Sequence, residues 1–183
     1  MMKKIYFTRH GQTFWNVENK ICGATDIGLT ENGKKQADRL GEIIRAGDYH
    51  IDEILCSPLI RAKETAERIA AKTGIPCRIE PRLIEQNFGR FEGTARNGEE
   101  FRRAKGNVID SYGGGETMLH LAARIYNLLD ELKNDDKVYL LAAHNGISRV
   151  IRSYFYDMTN EEYAAYGIGN CDVIEFEYKG ATE

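Results

Sequence analysis

Residues 5–11 read IYFTRHG, so a short apolar run leads directly into a threonine, an arginine, a histidine and a glycine. Short runs rich in β-branched and aromatic residues are typical of buried strands. The same arrangement recurs in ILCSP at residues 54–58 and in VYLLAAHNG at residues 138–146. Each run is followed by a longer segment with apolar residues at helical spacing. This alternation predicts an α/β fold with a mostly parallel sheet and flanking helices.

The first half of the chain carries clear signals for where helices begin and end. Thr30 is placed to cap a helix that ends at Gly47. Pro58 suits the first turn of a second helix, which Gly74 stops. A short strand is predicted at Cys77–Ile79.

The second half is predicted with one long irregular stretch at residues 81–115. Glu116 is predicted to open a helix that ends near residues 134–135, and a last strand at residues 173–176 is placed at the sheet edge. With 183 residues and 42% hydrophobic content, the chain fits one compact domain over residues 1–183. We therefore expect a three-layer α/β/α sandwich.

Composition argues against several classes of partner. The net charge is −3 and there is no run of Lys and Arg, so neither nucleic acid nor an anionic membrane is an expected partner. No apolar run approaches the roughly 20 residues that span a bilayer, and no signal peptide is evident, which predicts a cytoplasmic protein. Four scattered cysteines without a C-x-x-C pair favour neither disulfides nor structural zinc. The sequence gives no indication of oligomeric state.

Polar side chains follow the predicted strands at the points where these strands end. They are Arg9 and His10, then Ser57 with Arg61 one helical turn later, then His144. In open α/β sheets, ligands bind beyond the carboxyl ends of the strands. Two guanidinium groups and two imidazoles in one small volume suit a phosphoryl group, because arginine offers planar, permanently charged donors to phosphate oxygens.

Five ordered blocks of sequence resemble the histidine phosphatase superfamily, in its phosphoglycerate mutase-like branch. The blocks are TRHGQT at residues 8–13 with Asn16 and LTENG at 29–33, SPLIRA at 57–62 with TA at 65–66, LIE at 83–85 with Gly89 and EG at 92–93, GGGET at 113–117, and AH at 143–144. They cover most of the chain. One departure is Asn145, which stands where glycine is usual in the family and is expected to add a donor to the site or to narrow it.

The resemblance and the chemistry of the residues imply one set of roles. His10 is the expected nucleophile, and Glu85 is the expected general acid and base, with Glu92 as the neighbouring carboxylate. Arg9, Arg61, His144 and Asn16 are expected to bind the phosphate oxygens. Three further residues are expected to support them: Gly11, Ser57 and Asn145. Neither a metal ion nor a cofactor is expected, because two arginines can supply the charge that a divalent cation supplies elsewhere.

The predicted function is metal-independent hydrolysis of small phosphorylated metabolites through a phosphohistidine. A cofactor-dependent phosphoglycerate mutase is the first alternative. A mutase must keep its phosphohistidine from water, whereas residues 94–112 leave room only for a modest, charged lid. A phosphate-binding module without turnover is the second alternative, and the presence of both His10 and Glu85 argues against it. Cysteine-dependent phosphatases are excluded because only four residues separate Cys56 from Arg61, one too few for their phosphate loop.

Overall fold

The structure is a computed structural model that describes residues 3–179. Its sheet has five strands: β1 (Lys4–Arg9), β2 (Glu53–Cys56), β3 (Cys77–Ile79), β4 (Tyr139–Ala143) and β5 (Val173–Glu177). Their order is β3-β2-β4-β1-β5. Every neighbouring pair is parallel except β1 and β5, which are antiparallel. The predictions of a mostly parallel sheet and of a final strand at its edge are confirmed.

Helices cover both faces of this sheet. In residues 3–179 they are α1 (Phe14–Val17), α2 (Glu31–Ala46), α3 (Ile60–Thr73), α4 (Glu99–Lys105), α5 (Met118–Lys133), α6 (Asn145–Phe155) and α7 (Asn160–Ala165). Successive strand residues point to opposite faces. Thus Ile5 and Phe7 pack in one cluster with α5 and α6, whereas Tyr6 packs in another with α2 and α3. This is the predicted three-layer α/β/α sandwich.

The predicted caps of α2 and α3 are largely in place. The Thr30 hydroxyl accepts a hydrogen bond from the Gly33 N–H, and Gly47 ends α2. Gly74 ends α3 with φ +76°, a left-handed conformation that glycine adopts without a steric penalty. Pro58 is not in the first turn of α3, because Leu59 is the residue that precedes the helix.

The prediction for residues 81–115 is partly wrong. The segment contains two short 3-10 turns and the seven-residue helix α4. The next helix is capped by Thr117 rather than opened by Glu116, whose carboxylate instead pairs with Arg124. Helix α7 was also not predicted. Both α4 and α7 are too short to show a helical period in the sequence.

The strand register brings the predicted polar residues to one edge of the sheet. Arg9 is paired with Ala143, and Cys56 is paired with Ala142. The residues that follow continue the ladder, since the His10 N–H donates to Ala143 O and the Ser57 N–H donates to Ala142 O. The carboxyl ends of β1, β2 and β4 therefore meet. None of the helices in residues 3–179 is both long and apolar enough to cross a membrane.

Candidate active site

His10 follows β1 and is buried. Its Nδ1 lies 2.7 Å from the carbonyl oxygen of Gly11. Because a carbonyl oxygen only accepts hydrogen bonds, Nδ1 carries the proton and Nε2 keeps its lone pair. Burial and the charges of Arg61 and Arg9 hold the pKa of His10 well below its ordinary value of 6.5. The ring is therefore neutral at pH 7, with Nε2 as its nucleophilic nitrogen.

His144 follows β4, and its ring centre lies 5.2 Å from that of His10. Its Nε2 is 2.7 Å from the Ser57 hydroxyl oxygen, which also accepts the Leu59 N–H. If that hydroxyl donates its own proton to Nε2, the proton of the imidazole must be on Nδ1. Burial, Arg61 and His10 lower the pKa of His144 well below 6.5, so its ring is neutral at pH 7.

Arg9 and Arg61 supply positive charge next to the two imidazoles. Arg9 Nη1 donates to the carbonyl oxygen of Ile168 at 2.9 Å. Arg61 is fully buried, and its Nη1 and Nη2 donate to the carbonyl oxygens of Thr25 and Gly23. Burial and nearby Arg96 lower the pKa of Arg9 to about 10, which leaves it charged at pH 7. All of these acceptors are neutral, so the hydrogen bonds orient both guanidinium groups without cancelling their charge, and Glu85 is the carboxylate near enough to Arg9 to raise its pKa.

Four buried side-chain atoms in the described part of the chain lack a hydrogen-bond partner. Three are Arg9 Nε, Arg61 Nε and His144 Nδ1, and the fourth is Tyr166 Oη. Each unsatisfied buried group costs about 1–3 kcal/mol. Three of the four residues expected to bind phosphate therefore hold an unused polar atom, and an acceptor oxygen of an anion is a suitable partner for each donor among them.

Asn16 and Gly11 lie beside His10. Asn16 Oδ1 accepts the Thr13 N–H at 3.0 Å and the Asn170 side-chain amide at 3.4 Å. Because both contacts use the oxygen, the NH₂ group is the end that can donate to an anion. A Cβ on Gly11 would lie 2.4 Å from Gly33 O. Gly11, which is expected to support the phosphate site, thus makes its close contact with the start of α2.

Glu85 is buried where α6 begins. Its Oε2 accepts the Gly146 N–H at 2.8 Å, and its Oε1 accepts the Gln86 N–H at 2.9 Å. The first contact places the carboxylate at the positive end of the helix dipole. A Cβ on Gly146 would lie 2.4 Å from Glu85 Oε1, so only glycine permits this approach.

One cleft joins most of the expected site residues. Arg9, His10, Asn16, Glu85 and Asn145 line it, and its volume is about 550 Å³ with the open mouth included. The side-chain oxygen of Asn145 accepts the Ile168 N–H at 3.0 Å. The carbonyl oxygen of Ile168 in turn accepts from Arg9. The residue that replaces the usual glycine thus fixes the loop that holds Arg9.

Four of the expected residues do not line the cleft, and one of them is Gly11, which lies against the start of α2. Arg61, His144 and Ser57 are fully buried and do not line the open cleft. Two of them act on the cleft through His10. The charge of Arg61 lowers the pKa of His10, and the His144 ring lies next to the His10 ring.

Three basic residues at the cleft were missed in the sequence. They are Arg96, Lys105 at the end of α4, and Arg149 on α6. Arg96 donates to Lys20 O and Arg149 donates to Tyr166 O, both neutral acceptors. Burial and the charge of Arg149 lower the pKa of Lys105 to about 8. For Arg96 and Lys105 the available signal was the charged character of residues 94–112, which did not indicate which side chains face the cleft; for Arg149 no signal in the sequence separated it from an exposed helix charge.

Within residues 3–179, no three His, Cys, Asp or Glu side chains are gathered as a metal site requires. The cations and neutral imidazoles lie at the carboxyl edge of a mostly parallel sheet, an arrangement that suits an anion such as a phosphoryl group. The family model of the histidine phosphatase superfamily (branch 1) matches residues 5–183. The chain belongs to this superfamily.

Relatives in sequence and in structure carry different names. A probable phosphoglycerate mutase GpmB of Erwinia tasmaniensis is 28% identical over 97% of this chain and 86% of its own length. The Escherichia fergusonii protein of the same name is 36% identical over 70% of this chain and 62% of its own. The solved structure of a mycobacterial glucosyl-3-phosphoglycerate phosphatase has a TM-score of 0.81 at 25% identity and covers 96% of this chain and 90% of its own. Another structure of that phosphatase, in complex with VO3, has a TM-score of 0.81 at 26% identity over 94% and 90%.

Proposed function

We propose that the protein is a metal-independent phosphomonoester hydrolase that acts through a phosphohistidine on small phosphorylated metabolites. The observation that carries this proposal is the set of three unpartnered buried atoms, on Arg9, Arg61 and His144, beside a neutral histidine. A phosphoryl group offers three equatorial oxygens for such donors. The solved phosphatase complex with VO3 supports the proposal, because that compound resembles phosphate.

In the first half-reaction, His10 Nε2 attacks phosphorus while the bond from phosphorus to the leaving oxygen breaks. The Gly11 carbonyl, which accepts from Nδ1, keeps the attacking tautomer and stabilises the charge that forms on the ring. Arg9 and Arg61 neutralise the equatorial oxygens, and His144 and Asn16 donate to them as neutral groups. Each well-placed donor of this kind contributes about 10²- to 10³-fold to the rate.

Glu85 moves the proton in both half-reactions. Each of its oxygens accepts one N–H and keeps a second lone pair, so one of them can hold the proton that the leaving alkoxide needs. The resulting carboxylate then takes a proton from the water that attacks phosphorus. The bond from phosphorus to Nε2 breaks, inorganic phosphate leaves, and both residues return to their starting states.

The basic residues at the mouth narrow the substrate class. Arg96, Lys105 and Arg149 are three further cations at a cleft that already has Arg9, in a chain whose net charge is −3. Phosphate alone does not require so many. We therefore place a second anionic group, such as a carboxylate, on the preferred substrate. The name of the mycobacterial neighbour, a glucosyl-3-phosphoglycerate phosphatase, agrees with this class.

The competing function is a phosphoglycerate mutase, which the names of the sequence relatives favour. The same cations would hold its substrate, so only turnover separates the two. The decisive assay is phosphate release from sugar phosphates, phosphoglycerates and nucleotides, with and without 2,3-bisphosphoglycerate. We expect release without it. Mutase turnover that depends on this compound, with negligible hydrolysis, would replace our proposal.

Labelling tests the covalent intermediate directly. A ³²P-labelled phosphomonoester should label the wild-type protein with an alkali-stable bond, and His10→Ala should abolish the label. Glu85→Gln should slow turnover yet keep labelling by a substrate with a good leaving group. Label retained in His10→Ala would refute the assigned nucleophile. Binding of phosphate without any turnover would support the binding-module alternative.

A further inference from the structure

The carboxylate of Glu92 accepts five hydrogen bonds. Oε2 accepts from the Gly23 N–H (3.0 Å), the Thr25 N–H (3.4 Å) and the Thr25 hydroxyl (2.7 Å). Oε1 accepts from the Ala24 N–H (3.1 Å) and the Phe88 N–H (2.9 Å). Its lone pairs are occupied, and the residue does not line the cleft. Glu92 is therefore not an alternative to Glu85 in proton transfer.

The backbone turn at residues 23–25 has a second charged partner on its carbonyl side. Arg61 Nη2 donates to Gly23 O at 2.6 Å, and Nη1 donates to Thr25 O at 2.8 Å. The turn thus lies between two charged side chains. Its N–H groups donate to the carboxylate of Glu92, and its carbonyl oxygens accept from the guanidinium of Arg61. These two contacts are the hydrogen bonds of the Arg61 side chain within the described residues, so the turn sets where the guanidinium lies.

The turn has little room to move. A Cβ on Gly23 would lie 2.1 Å from Gln86 O and 2.2 Å from Glu92 Oε1. The negative charge of Glu92 also polarises the peptide groups to which it bonds, and this strengthens their carbonyl oxygens as acceptors. The charge thereby stabilises both the shape of the turn and its affinity for a cation.

We propose that Glu92 is a positioning residue for phosphate binding, which acts through the turn at residues 23–25 to aim Arg61 at the phosphoryl group. The proposal rests on the proposed function, in which Arg61 holds phosphate oxygens. It assigns a role to Glu92, the acidic residue of the EG pair at residues 92–93, which the reaction itself leaves unused.

The test measures inhibition by orthovanadate and by inorganic phosphate. Glu92→Gln keeps the size of the side chain but turns an NH₂ group toward backbone donors, so the turn must shift. We expect both inhibition constants and KM to rise about tenfold or more, with a smaller change in kcat for a substrate with a good leaving group. Glu92→Asp, which keeps the charge, should restore part of the affinity.

The matched control is Glu116→Gln. Glu116 also accepts a bidentate contact, from Arg124, but it does not line the cleft. This variant should lose thermal stability without a change in vanadate inhibition. If Glu92→Gln lowers Tm and leaves the inhibition constant at the wild-type value, Glu92 is only structural and the proposal is wrong.

A double-mutant cycle separates the positioning role of Glu92 from the phosphate-binding role of Arg61. If Glu92 acts through Arg61, Glu92→Gln should add little to the loss of vanadate affinity in Arg61→Ala. Fully additive losses of vanadate affinity would show that Glu92 does not act through Arg61, and would leave the phosphate-binding role of Arg61 intact. No loss in Arg61→Ala alone would instead overturn the proposed function. If Glu92→Gln does not fold, Thr25→Val removes one contact to Oε2 and should raise the inhibition constant about threefold; an unchanged constant would then contradict the proposal.

Discussion

Gly146→Ala is the sharpest test of Glu85 as the proton-transfer group. The new Cβ would lie 2.4 Å from Glu85 Oε1, whereas ordinary contacts begin at 3.4 Å, so the carboxylate must retreat by about 1 Å. The end of a glutamate side chain moves easily, and the fold should therefore tolerate the change. A displacement of this size costs about 100-fold in rate, or about 2.7 kcal/mol in the barrier.

The effect should depend on the leaving group. An alkoxide from a sugar phosphate needs the proton, and we expect kcat for such a substrate to fall about 100-fold. p-Nitrophenolate leaves without a proton, so kcat for p-nitrophenyl phosphate should change far less, and inhibition by vanadate should stay the same. The control is Gly28→Ala, because a Cβ there meets no atom within 4 Å. Equal losses for both substrates, or no loss for the sugar phosphate, would refute the reasoning.

Three further predictions concern pH and metal. Since burial lowers the pKa of Lys105 to about 8, this side chain loses its charge above that pH, and KM for substrates with a second anionic group should rise there. Lys105→Arg should remove the rise. An identical dependence of KM on pH in both proteins would contradict this prediction. His10 and His144 have pKa values held below 6.5 in the fold by burial and by Arg61, so unfolding takes up protons below pH 6.5. Below pH 6.5 the free energy of unfolding should then fall by up to about 1.4 kcal/mol per pH unit for each ring. Urea titrations at a series of pH values should show that this free energy depends less steeply on pH in His10→Ala than in the wild type. Prolonged dialysis against a chelator should leave the rate of hydrolysis unchanged, and recovery of a lost rate on adding a divalent cation would show a metal requirement.

The residues at the strand ends could be placed from sequence because sheet geometry is general. Once β1, β2 and β4 are parallel neighbours, the residues that follow them must meet, and His10, Ser57 and His144 do so. Arg61 follows from this, since it lies on the first turn of the helix after β2.

The mouth of the cleft could not be placed by the same reasoning. Arg96 and Lys105 lie in a segment whose path is set by short turns and by the seven-residue helix α4, and no periodic pattern records that path. Without the family resemblance, Glu85 and Glu92 are equivalent acidic residues in the sequence. What separates them is that Glu92 faces the N–H groups of a turn 67 residues or more away in the chain, whereas Glu85 faces the first turn of α6.

The partners of the arginines explain how an acidic protein can select an anion. Away from the cleft, arginines pair with carboxylates, as Arg68, Arg82 and Arg124 do. At the cleft, and at Arg61 buried behind it, the arginines donate to backbone carbonyl oxygens, which orient a guanidinium without cancelling its charge. Glu85 is one carboxylate among several cations at this cleft, so much of the buried positive charge has no partner, and a phosphoryl group that enters the site relieves the cost of burying it. The positive electrostatic potential is therefore confined to the cleft. Salt should weaken substrate binding there far less than it would on an exposed basic surface.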